Sequence, residues 1–279
     1  MQPFCREDTS AGTEPFWAYG VGMSGEFHAL HRAESPLLLP NAWDFASAAA
    51  LVAEGFDAIG TTSLGVAVAH GEPDAAGRTR AQTVELASRL VELPRPISVD
   101  IELGFGAPAE VAEELAELGV AGINLEDGLG DPGHQQELIG EVKRRAPDLF
   151  LNARTDTYWL GAAPSLSDTI DRAARYVAAG ADGIFVPGMT AAEDIRALVD
   201  AVRVPVNVLF QPGMDVEGLA ALGVRRVSMG SLLYRAALHG AITTARAVRD
   251  GSPVAAGVPG YSVVQDYVGG LRRGSGGFQ

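Results

Sequence analysis

The chain has one cysteine and one lysine among its 279 residues, and this scarcity excludes several chemistries. Cys5 has no second cysteine to pair with, so an internal disulfide and a cysteine metal cluster are excluded. Lys143 lies in a charged, helix-like stretch beside two arginines. A Schiff-base aldolase needs a lysine at the active site. That mechanism is therefore excluded, as are a pyridoxal phosphate enzyme and a P-loop.

Positive charge is also scarce, with 21 Lys and Arg against 35 Asp and Glu and a formal net charge of −14. So acidic a chain is a poor partner for nucleic-acid phosphates or an anionic membrane surface. No apolar run reaches the roughly 18 residues of a membrane span, and the start lacks the basic and apolar regions of a secretory signal. We therefore expect a cytoplasmic protein that meets an anionic ligand with a metal or a few arginines.

A repeated unit organises the rest of the chain. Four times, a helix-like stretch ends in glycine and a short apolar run follows a few residues later. A glycine suits the left-handed position just past a helix C-terminus, and a short run that is apolar throughout is typical of a strand buried on both faces of a parallel sheet. The glycines are Gly55, Gly119, Gly180 and Gly223, and the runs begin at Ala58, Gly122, Gly183 and Arg226.

Four more apolar runs share this spacing, and helical patterns follow all eight. Eight strand–helix units predict a (β/α)₈ TIM barrel over residues 23–250. A doubly wound open sheet is the rival, but no Gly-x-Gly-x-x-Gly follows the first strand. Residues 1–22 are predicted to be an extension, and residues 251–279 a tail with one short helix over 261–273 that packs on a neighbouring subunit. The further runs are Leu37–Leu39, Ile97–Asp100, Leu149–Asn152 and Pro205–Val208, and the helices are predicted to begin near Asp44, Thr79, Pro108, His134, Ser167, Ala191, Asp215 and Ser231.

Acidic residues recur at the predicted carboxyl ends of the strands, where a barrel places its active site. Carboxylates without His or Cys nearby favour Mg²⁺, or Mn²⁺, over zinc. Asp100 and Glu102 are two residues apart and are predicted to share one strand face, where they would repel each other without a cation. The alternative is that single acids cap the following helices. The acids are Asp74, Asp100, Glu102, Glu126 and Asp127.

Arg154 ends its predicted strand two residues before Asp156. Its guanidinium is either one half of a structural ion pair with Asp156 or another carboxylate, or a donor to the carboxylate or oxo group of a substrate. The small residues over 61–65 predict a turn whose N–H groups receive a carboxylate. A general acid, if the reaction needs one, is predicted to be His70, His134, a carboxylic acid or water. His134 is predicted to lie in a lid loop over the site, or to be an exposed histidine without a role.

The ordered segments resemble the isocitrate lyase/phosphoenolpyruvate mutase superfamily over about residues 25–250, and in particular its phosphoenolpyruvate phosphonomutase-like branch. The resemblance implies a barrel whose last helix is swapped between the subunits of a homodimer or homotetramer. It also implies Mg²⁺ held directly by Asp100 and largely through water by Asp74, Glu102 and Glu126. Thr62, Ser63 and Leu64 match positions that bind the carboxylate of a 2-oxo acid, and Arg154 matches an arginine that orients the substrate. The segments include 39–44, 58–63, 98–106, 122–127 and 152–156.

Two further residues complete the predicted substrate-binding set: Trp43, in the first of these segments, and Asn207, at the end of the seventh predicted strand. The positions at which the chain departs from the family are as informative as those that match it. The stretch 130–134 lacks the cysteine-containing lid of the isocitrate and methylisocitrate lyases. Pro187 replaces a histidine of the phosphonate mutases, and Glu102 stands in place of an aspartate. Isocitrate cleavage and phosphonate mutation are therefore both disfavoured.

The leading hypothesis is a Mg²⁺-dependent lyase in which Asp100, Arg154 and His134 take part in cleaving a C–C bond of a small 2-oxo or 2-hydroxy acid. The reaction, a decarboxylation or a retro-aldol or retro-Claisen cleavage, would pass through a pyruvate-like enolate. One alternative is a mutase or hydrolase that breaks the P–C bond of a phosphonopyruvate-like substrate. The other is a barrel that binds an oxo acid without catalysis.

Overall fold

The structure, a computed structural model, describes residues 22–272 except 162 and 164. Nine parallel strands form one sheet in the order β1-β9-β8-β7-β6-β5-β4-β3-β2. All the strand runs predicted from the sequence are present. The strands are β1 (Leu37–Leu39), β2 (Asn41–Ala42), β3 (Ile59–Thr61), β4 (Ile97–Asp100), β5 (Gly122–Glu126), β6 (Phe150–Arg154), β7 (Gly183–Val186), β8 (Val206–Leu209) and β9 (Arg226–Ser228).

Strands β1 and β2 are two halves of the first barrel strand, with Pro40 between them. The β1 half pairs with β9, where Leu38 lies opposite Val227, and the β2 half pairs with β3, where Asn41 lies opposite Gly60. Proline has no N–H to donate to a ladder, so the strand is interrupted there while its direction continues. The sheet thus closes into the predicted eight-stranded (β/α)₈ barrel.

Helices alternate with the strands on the outside of the barrel. Asp44 caps α2 as predicted, since its side chain accepts from Ser47 N while the Ser47 side chain accepts from Asp44 N. Pro108 opens α5. The helices are α1 (Met23–Leu30), α2 (Phe45–Ala53), α3 (Ser63–Ala69), α4 (Arg80–Leu90), α5 (Pro108–Glu117), α6 (Pro132–Arg145), α7 (Leu166–Ala178), α8 (Ala192–Ala201), α9 (Val216–Ala221), α10 (Leu232–Arg249) and α11 (Tyr261–Arg272).

Three of these helices correct the sequence analysis. Helix α1 was not predicted. Residues 61–65 were predicted to be a turn, but α3 begins at Ser63 within them. The stretch around His134 was predicted to be a lid loop, but Asp131 accepts from His134 N and caps α6, with a proline in its first turn. An N-cap aspartate followed by proline is a helix start, and this local signal outweighs the resemblance to a lid.

Helix α1 closes the amino-terminal end of the barrel. Phe27 is fully buried and lies edge-on to Phe150, with ring centroids 5.4 Å apart. Gly122 leaves room for this ring, because a Cβ there would lie 2.6 Å from Phe27 Cε1. His31 stacks on Phe150 at 4.1 Å. Among the described residues, α1 therefore covers this end of the barrel.

The last two helices differ in how they pack. Helix α10 has 18 residues, of which only Tyr234 is buried. Leu238 and Ile242 on its outer part are 45% and 51% exposed. The predicted tail helix is present as α11, and within the chain it packs on α2. Three points stay predictions. They are the packing of the tail helix on a neighbouring subunit, the swap of the last barrel helix between subunits, and the extension over residues 1–22. Residues 1–21 lie outside the described residues.

Among the described residues, no helix combines the length and apolar character that crossing a bilayer requires.

Candidate active site

A cavity of about 170 Å³ lies at the carboxyl end of the barrel strands. This volume is below the roughly 300–1,000 Å³ typical of sites for drug-sized ligands. Seven of the predicted site residues line it. They are Thr62, Ser63, Leu64, Asp74, Asp100, Glu126 and Arg154.

Three of these residues come from the ends of neighbouring strands. Asp100 ends β4, Glu126 ends β5 and Arg154 ends β6. Glu126 and Arg154 lie directly opposite each other across the β5–β6 ladder. Because the strands are parallel, their carboxyl ends meet at one rim, and the side chains project into the same space. This is the convergence that the sequence analysis expected.

Arg154 is paired on two sides. Its Nε donates to Asp156 Oδ1 at 2.7 Å, and its Nη1 donates to Glu126 Oε1. Burial alone would lower the pKa of Arg154, but the charges of Glu126, Asp156 and Asp100 raise it above its usual value. The structural ion pair with Asp156 is therefore present, and the same guanidinium also lines the cavity. The two interpretations of Arg154 do not exclude each other.

The carboxylates of Asp100 and Glu126 are buried and repel each other. Burial, followed by the charge of Asp100, raises the pKa of Glu126 to about 9 against the opposing effect of Arg154. Burial also raises the pKa of Asp100, although the Arg154 charge and the N–H groups of Glu102 and Ser63 lower it. A positive ion placed among these groups would offset this repulsion.

The donor set suits magnesium in its chemistry. Among the described residues, no three His, Cys, Asp or Glu side chains are grouped closely enough to hold a metal ion by themselves. Mg²⁺, however, commonly takes only one or two carboxylates and keeps several waters. Asp74, Asp100 and Glu126 offer only carboxylate oxygens to one cavity. The residues present therefore fit a hydrated magnesium ion bound directly by few side chains.

Glu102 departs from its predicted geometry. Strand β4 ends at Asp100, and Glu102 has a left-handed φ of 51°, so the prediction that the two carboxylates share a strand face is wrong. The Glu102 carboxylate accepts from Gly77 N at 3.0 Å and from Thr79 Oγ1 at 3.1 Å. It thereby anchors the loop that carries Asp74, and it does not line the cavity.

Asp127 turns away from the cavity. Its Oδ2 accepts from the Tyr176 hydroxyl at 2.8 Å and from Arg172 Nη1 at 3.1 Å, while its Oδ1 accepts from Asp156 N at 3.0 Å. A buried carboxylate with several donors is a satisfied structural group. Asp127 thus joins α7 to the rim beside Arg154.

The structure does not bring the other three predicted residues to the cavity wall. Trp43 packs edge-on against Tyr234, with ring centroids 5.2 Å apart. His134 is exposed in the first turn of α6. Asn207 is 1% exposed inside the barrel, because it lies in the middle of β8, and Leu209 at the end of that strand lines the cavity instead.

Below the cavity, the barrel interior has a polar layer. Arg226 is 1% exposed and donates from Nη2 to Asn124 Oδ1 at 3.1 Å, which also accepts from Asn152 Nδ2 at 2.9 Å. Within the part of the chain that the structure describes, neither amide atom of Asn207 has a hydrogen-bond partner, nor do Nε and Nη1 of Arg226. Burial lowers the pKa of Arg226 to about 9.

Sequence reasoning missed several residues of the cavity wall. Asn124 was detectable, since it lies two residues before Glu126 on the same strand and hence on the same face. The apolar residues carried no signal, because apolar side chains at strand ends resemble the core. The missed residues include Asn124, Trp159, Leu160, Phe185 and Leu209.

Comparisons with known proteins show the family to which the chain belongs. An uncharacterized protein of Mycobacterium tuberculosis (strain H37Rv) is 46% identical over 244 residues, which cover 86% of this chain and 94% of that protein. The oxaloacetate decarboxylase of Rhodopseudomonas palustris (strain HaA2) is 32% identical over 202 residues, covering 65% of this chain and 69% of the relative.

Among solved structures, phosphonopyruvate hydrolase in complex with oxalate and Mg²⁺ superposes with a TM-score of 0.80 at 21% identity, covering 91% of this chain and 97% of that one. At this identity the likeness shows the fold alone. The family model described as phosphoenolpyruvate phosphomutase matches residues 27–249. The chain belongs to this family, and so to the isocitrate lyase/phosphoenolpyruvate mutase superfamily of enzymes.

Proposed function

We propose that the chain is a Mg²⁺-dependent lyase that cleaves a C–C bond of a small 2-oxo or 2-hydroxy acid. The observation that carries the proposal is the meeting of Asp100, Glu126 and Arg154 around one small cavity at the ends of three neighbouring strands. Similarity to an oxaloacetate decarboxylase supports this reaction class.

Asp100 would hold Mg²⁺ directly, and Asp74, Glu102 and Glu126 would hold it largely through water, with Mn²⁺ as an alternative. The bound ion would act as a Lewis acid on the 2-oxo oxygen and offset its developing negative charge. Glu102 would contribute mainly by fixing the loop that carries Asp74, since its carboxylate is bonded to Gly77 and Thr79.

Arg154 would orient the acid. Its Nε and Nη1 are held by Asp156 and Glu126, and Nη2 carries no hydrogen bond to the residues that the structure describes. A guanidinium fixed on two edges presents its remaining N–H groups in one direction. Thr62, Ser63 and Leu64, which follow β3 and line the same cavity, would receive the substrate carboxylate.

The bond between C3 and the departing carbon breaks, and its electron pair stays on C3 and delocalises onto the C2 oxygen as an enolate. The departing carbon leaves as CO₂ from a carboxylate, or, when its hydroxyl loses a proton to water, as a carbonyl compound. Water delivers the proton that converts the enolate into the 2-oxo acid, while His134, exposed at the start of α6, stays a candidate acid.

The test compares Asp100→Ala with Asp200→Ala, a matched change of an exposed aspartate on α8. Mg²⁺ binding is measured by calorimetry, and 2-oxo acid formation over a panel of oxaloacetates, malates and 4-hydroxy-2-oxo acids is measured with and without a chelator. We expect Asp100→Ala to lose both metal binding and turnover, and Asp200→Ala to keep both. Turnover that survives chelation and the Asp100 substitution would overturn the mechanism.

Cleavage of a P–C bond is the second candidate, favoured by the family model that matches residues 27–249. Phosphorus NMR on phosphonopyruvate and related phosphonates separates it from C–C cleavage, because only P–C chemistry changes the phosphorus signal. Tight binding of Mg²⁺ and oxalate with no turnover on either panel would instead indicate a non-catalytic oxo-acid-binding barrel.

We also propose that the chain works as a homodimer or homotetramer. Helix α10 leaves Leu238 and Ile242 about half exposed, whereas the eighth helix of a closed barrel normally packs on the strands. A second copy that covers this helix, through exchange of α10 between subunits, would bury these side chains.

A further inference from the structure

The rim of the cavity is divided into two arcs that follow the strand order. One arc runs from β9 through β1 and β2 to β5 and carries hydroxyl, amide and carboxylate groups, including Ser228, Asn41, Ser63, Asp100 and Glu126. Leu64 is its one large apolar side chain among the described lining residues.

The other arc follows β6, β7 and β8 and is apolar apart from Arg154 at its border. Trp159 and Leu160 come from the segment after β6, Phe185 and Pro187 from β7 and its end, and Leu209 from the end of β8. Because β6, β7 and β8 are consecutive neighbours in the sheet, these side chains form one continuous wall. We call this wall the apolar arc.

Positive charge is almost absent beside the apolar arc. Among the described residues that line the cavity, Arg154 is the only cation, and it already pairs with Glu126 and Asp156. A second carboxylate or a phosphonate placed against the apolar arc would lose its hydration and find no counter-charge there. Burying an unpaired charge in this way is strongly unfavourable.

The mouth of the cavity also exposes apolar surface. Trp159 and Leu160 are 53% and 58% exposed, and they lie next to each other at the end of the apolar arc. An apolar group of a ligand that covers them would gain about 25 cal/mol per Å² of apolar surface removed from water. The chemistry of this wall therefore selects an uncharged hydrocarbon group.

We propose that the substrate is a 4-hydroxy-2-oxo acid whose C4 carries an uncharged alkyl or aryl group, and that this group packs on the apolar arc while the 2-oxo acid end faces the carboxylates. This rests on the proposed lyase function and deepens it. The C4 hydroxyl loses its proton to water, the C3–C4 bond breaks and its electron pair stays on C3. The fragment leaves as an aldehyde, and C3 takes a proton from water to give pyruvate.

Binding tests the proposal independently of turnover. In the presence of Mg²⁺, calorimetry compares 5-methyl-2-oxohexanoate with 2-oxoglutarate, which has a carboxylate of similar size in place of the isopropyl group. We expect the alkyl acid to bind at least tenfold more tightly. Along pyruvate, 2-oxobutanoate, 2-oxopentanoate and 2-oxohexanoate, affinity should rise about fourfold for each methylene. Equal or tighter binding of 2-oxoglutarate, or a flat series, would overturn the proposal.

Variants assign the effect to the apolar arc. Leu160→Ala should weaken binding of 5-methyl-2-oxohexanoate several-fold more than it weakens binding of pyruvate. Leu103→Ala is the matched control, because Leu103 is 51% exposed near the same end of the barrel and does not line the cavity. Leu209→Arg should reverse the preference in favour of 2-oxoglutarate. Equal effects of the Leu160 and Leu103 changes, or no reversal, would contradict the assignment.

Turnover separates the proposal from the function on which it rests. Cleavage of 4-hydroxy-2-oxo acids should favour a 4-alkyl over a 4-carboxylate substituent by at least tenfold in kcat/KM. If C–C cleavage occurs but the 4-carboxylate compound is preferred, the substrate proposal fails and the lyase function stands. If the alkyl series binds as expected and no C–C bond is cleaved, the apolar arc is supported and the lyase function fails.

Discussion

The hydroxyl of Tyr176 donates to Oδ2 of Asp127 at 2.8 Å and so ties α7 to the segment that follows β5. Asp127 Oδ1 in turn accepts from Asp156 N, and the Asp156 side chain accepts from Arg154. A chain of hydrogen bonds thus runs from the outer helix layer to the guanidinium in the cavity, which fixes the direction of Arg154 through two buried carboxylates.

Tyr176→Phe removes the first bond of that chain. Because a hydrogen bond to a buried charged group contributes about 1.5–3 kcal/mol, we expect the free energy of unfolding to fall by about 2 kcal/mol, measured by urea denaturation. Tyr261→Phe is the control, since Tyr261 is 83% exposed and should leave stability unchanged. Equal midpoints for the Tyr176 variant and the wild type would show that Asp127 is satisfied without the hydroxyl.

Arg154→Lys keeps the charge and loses the planar fork. A lysine cannot bond to Glu126, Asp156 and a substrate in one fixed geometry, and removal of one donor to a developing oxyanion typically costs about 10²–10³ in rate. We expect kcat/KM to fall at least 100-fold on the best substrate of the panel. Arg249→Lys, on the exposed end of α10, should keep full activity, and a fall in both variants would point to a general effect.

His31 should make stability depend on pH. Burial, followed by the charge of Arg226, lowers the pKa of His31 from 6.5 to about 3. Below pH 6.5 the unfolded chain binds a proton that the folded chain excludes, so stability falls as the pH falls, until about pH 3. Between pH 7 and pH 5 this amounts to about 2 kcal/mol.

His31→Phe keeps a ring against Phe150 and removes the titrating group. Urea denaturation of both proteins at pH 7 and pH 5 gives the difference in free energy of unfolding for each. The variant should lose about 2 kcal/mol less than the wild type over this interval. An identical loss in both would mean that other groups account for the whole pH dependence.

Ile242→Glu tests whether α10 meets a second copy. A charge at a half-exposed apolar position of α10 should dissociate an assembly that buries it, because an unpaired buried carboxylate is costly. Sedimentation velocity should show a lower mass for this variant and the wild-type mass for Thr243→Glu, a change at the adjacent exposed polar residue. Unchanged mass for both would exclude Ile242 from an interface between subunits.

The fold followed closely from the sequence because its signals are local and repeated. Each repeat glycine has a positive φ, from 88° at Gly55 to 108° at Gly180, and the apolar run after each glycine is a strand. Helix α1 was not predicted because it is short and its burial depends on the contact of Phe27 with Gly122. Hydrophobic periodicity does not record such a contact between distant parts of the chain.

Only part of the candidate site could be predicted from the sequence. The positions of Asp100, Glu126 and Arg154 could be predicted, since strand ends in a parallel barrel converge. The position of Asn207 could not, because β8 continues to Leu209, and a displacement of two residues along one strand face separates the barrel interior from the cavity wall. The position of Glu102 could not be predicted either, since the backbone turns to a left-handed conformation after β4 and directs its side chain away from the cavity.

The division of the first strand at Pro40 bears on the order in which the barrel folds. Leu38 pairs with Val227, almost at the end of the barrel domain. Asn41 pairs with Gly60, which is close to it in the sequence. The ladder between β2 and β3 therefore closes a short stretch of chain, whereas the ladder between β1 and β9 joins the two ends of the barrel sequence. Unpaired edges invite association between chains, and contacts so distant in sequence form slowly. We therefore expect the pairing of β1 with β9 to be a late step of folding, and a chain in which it has not formed to present two open sheet edges.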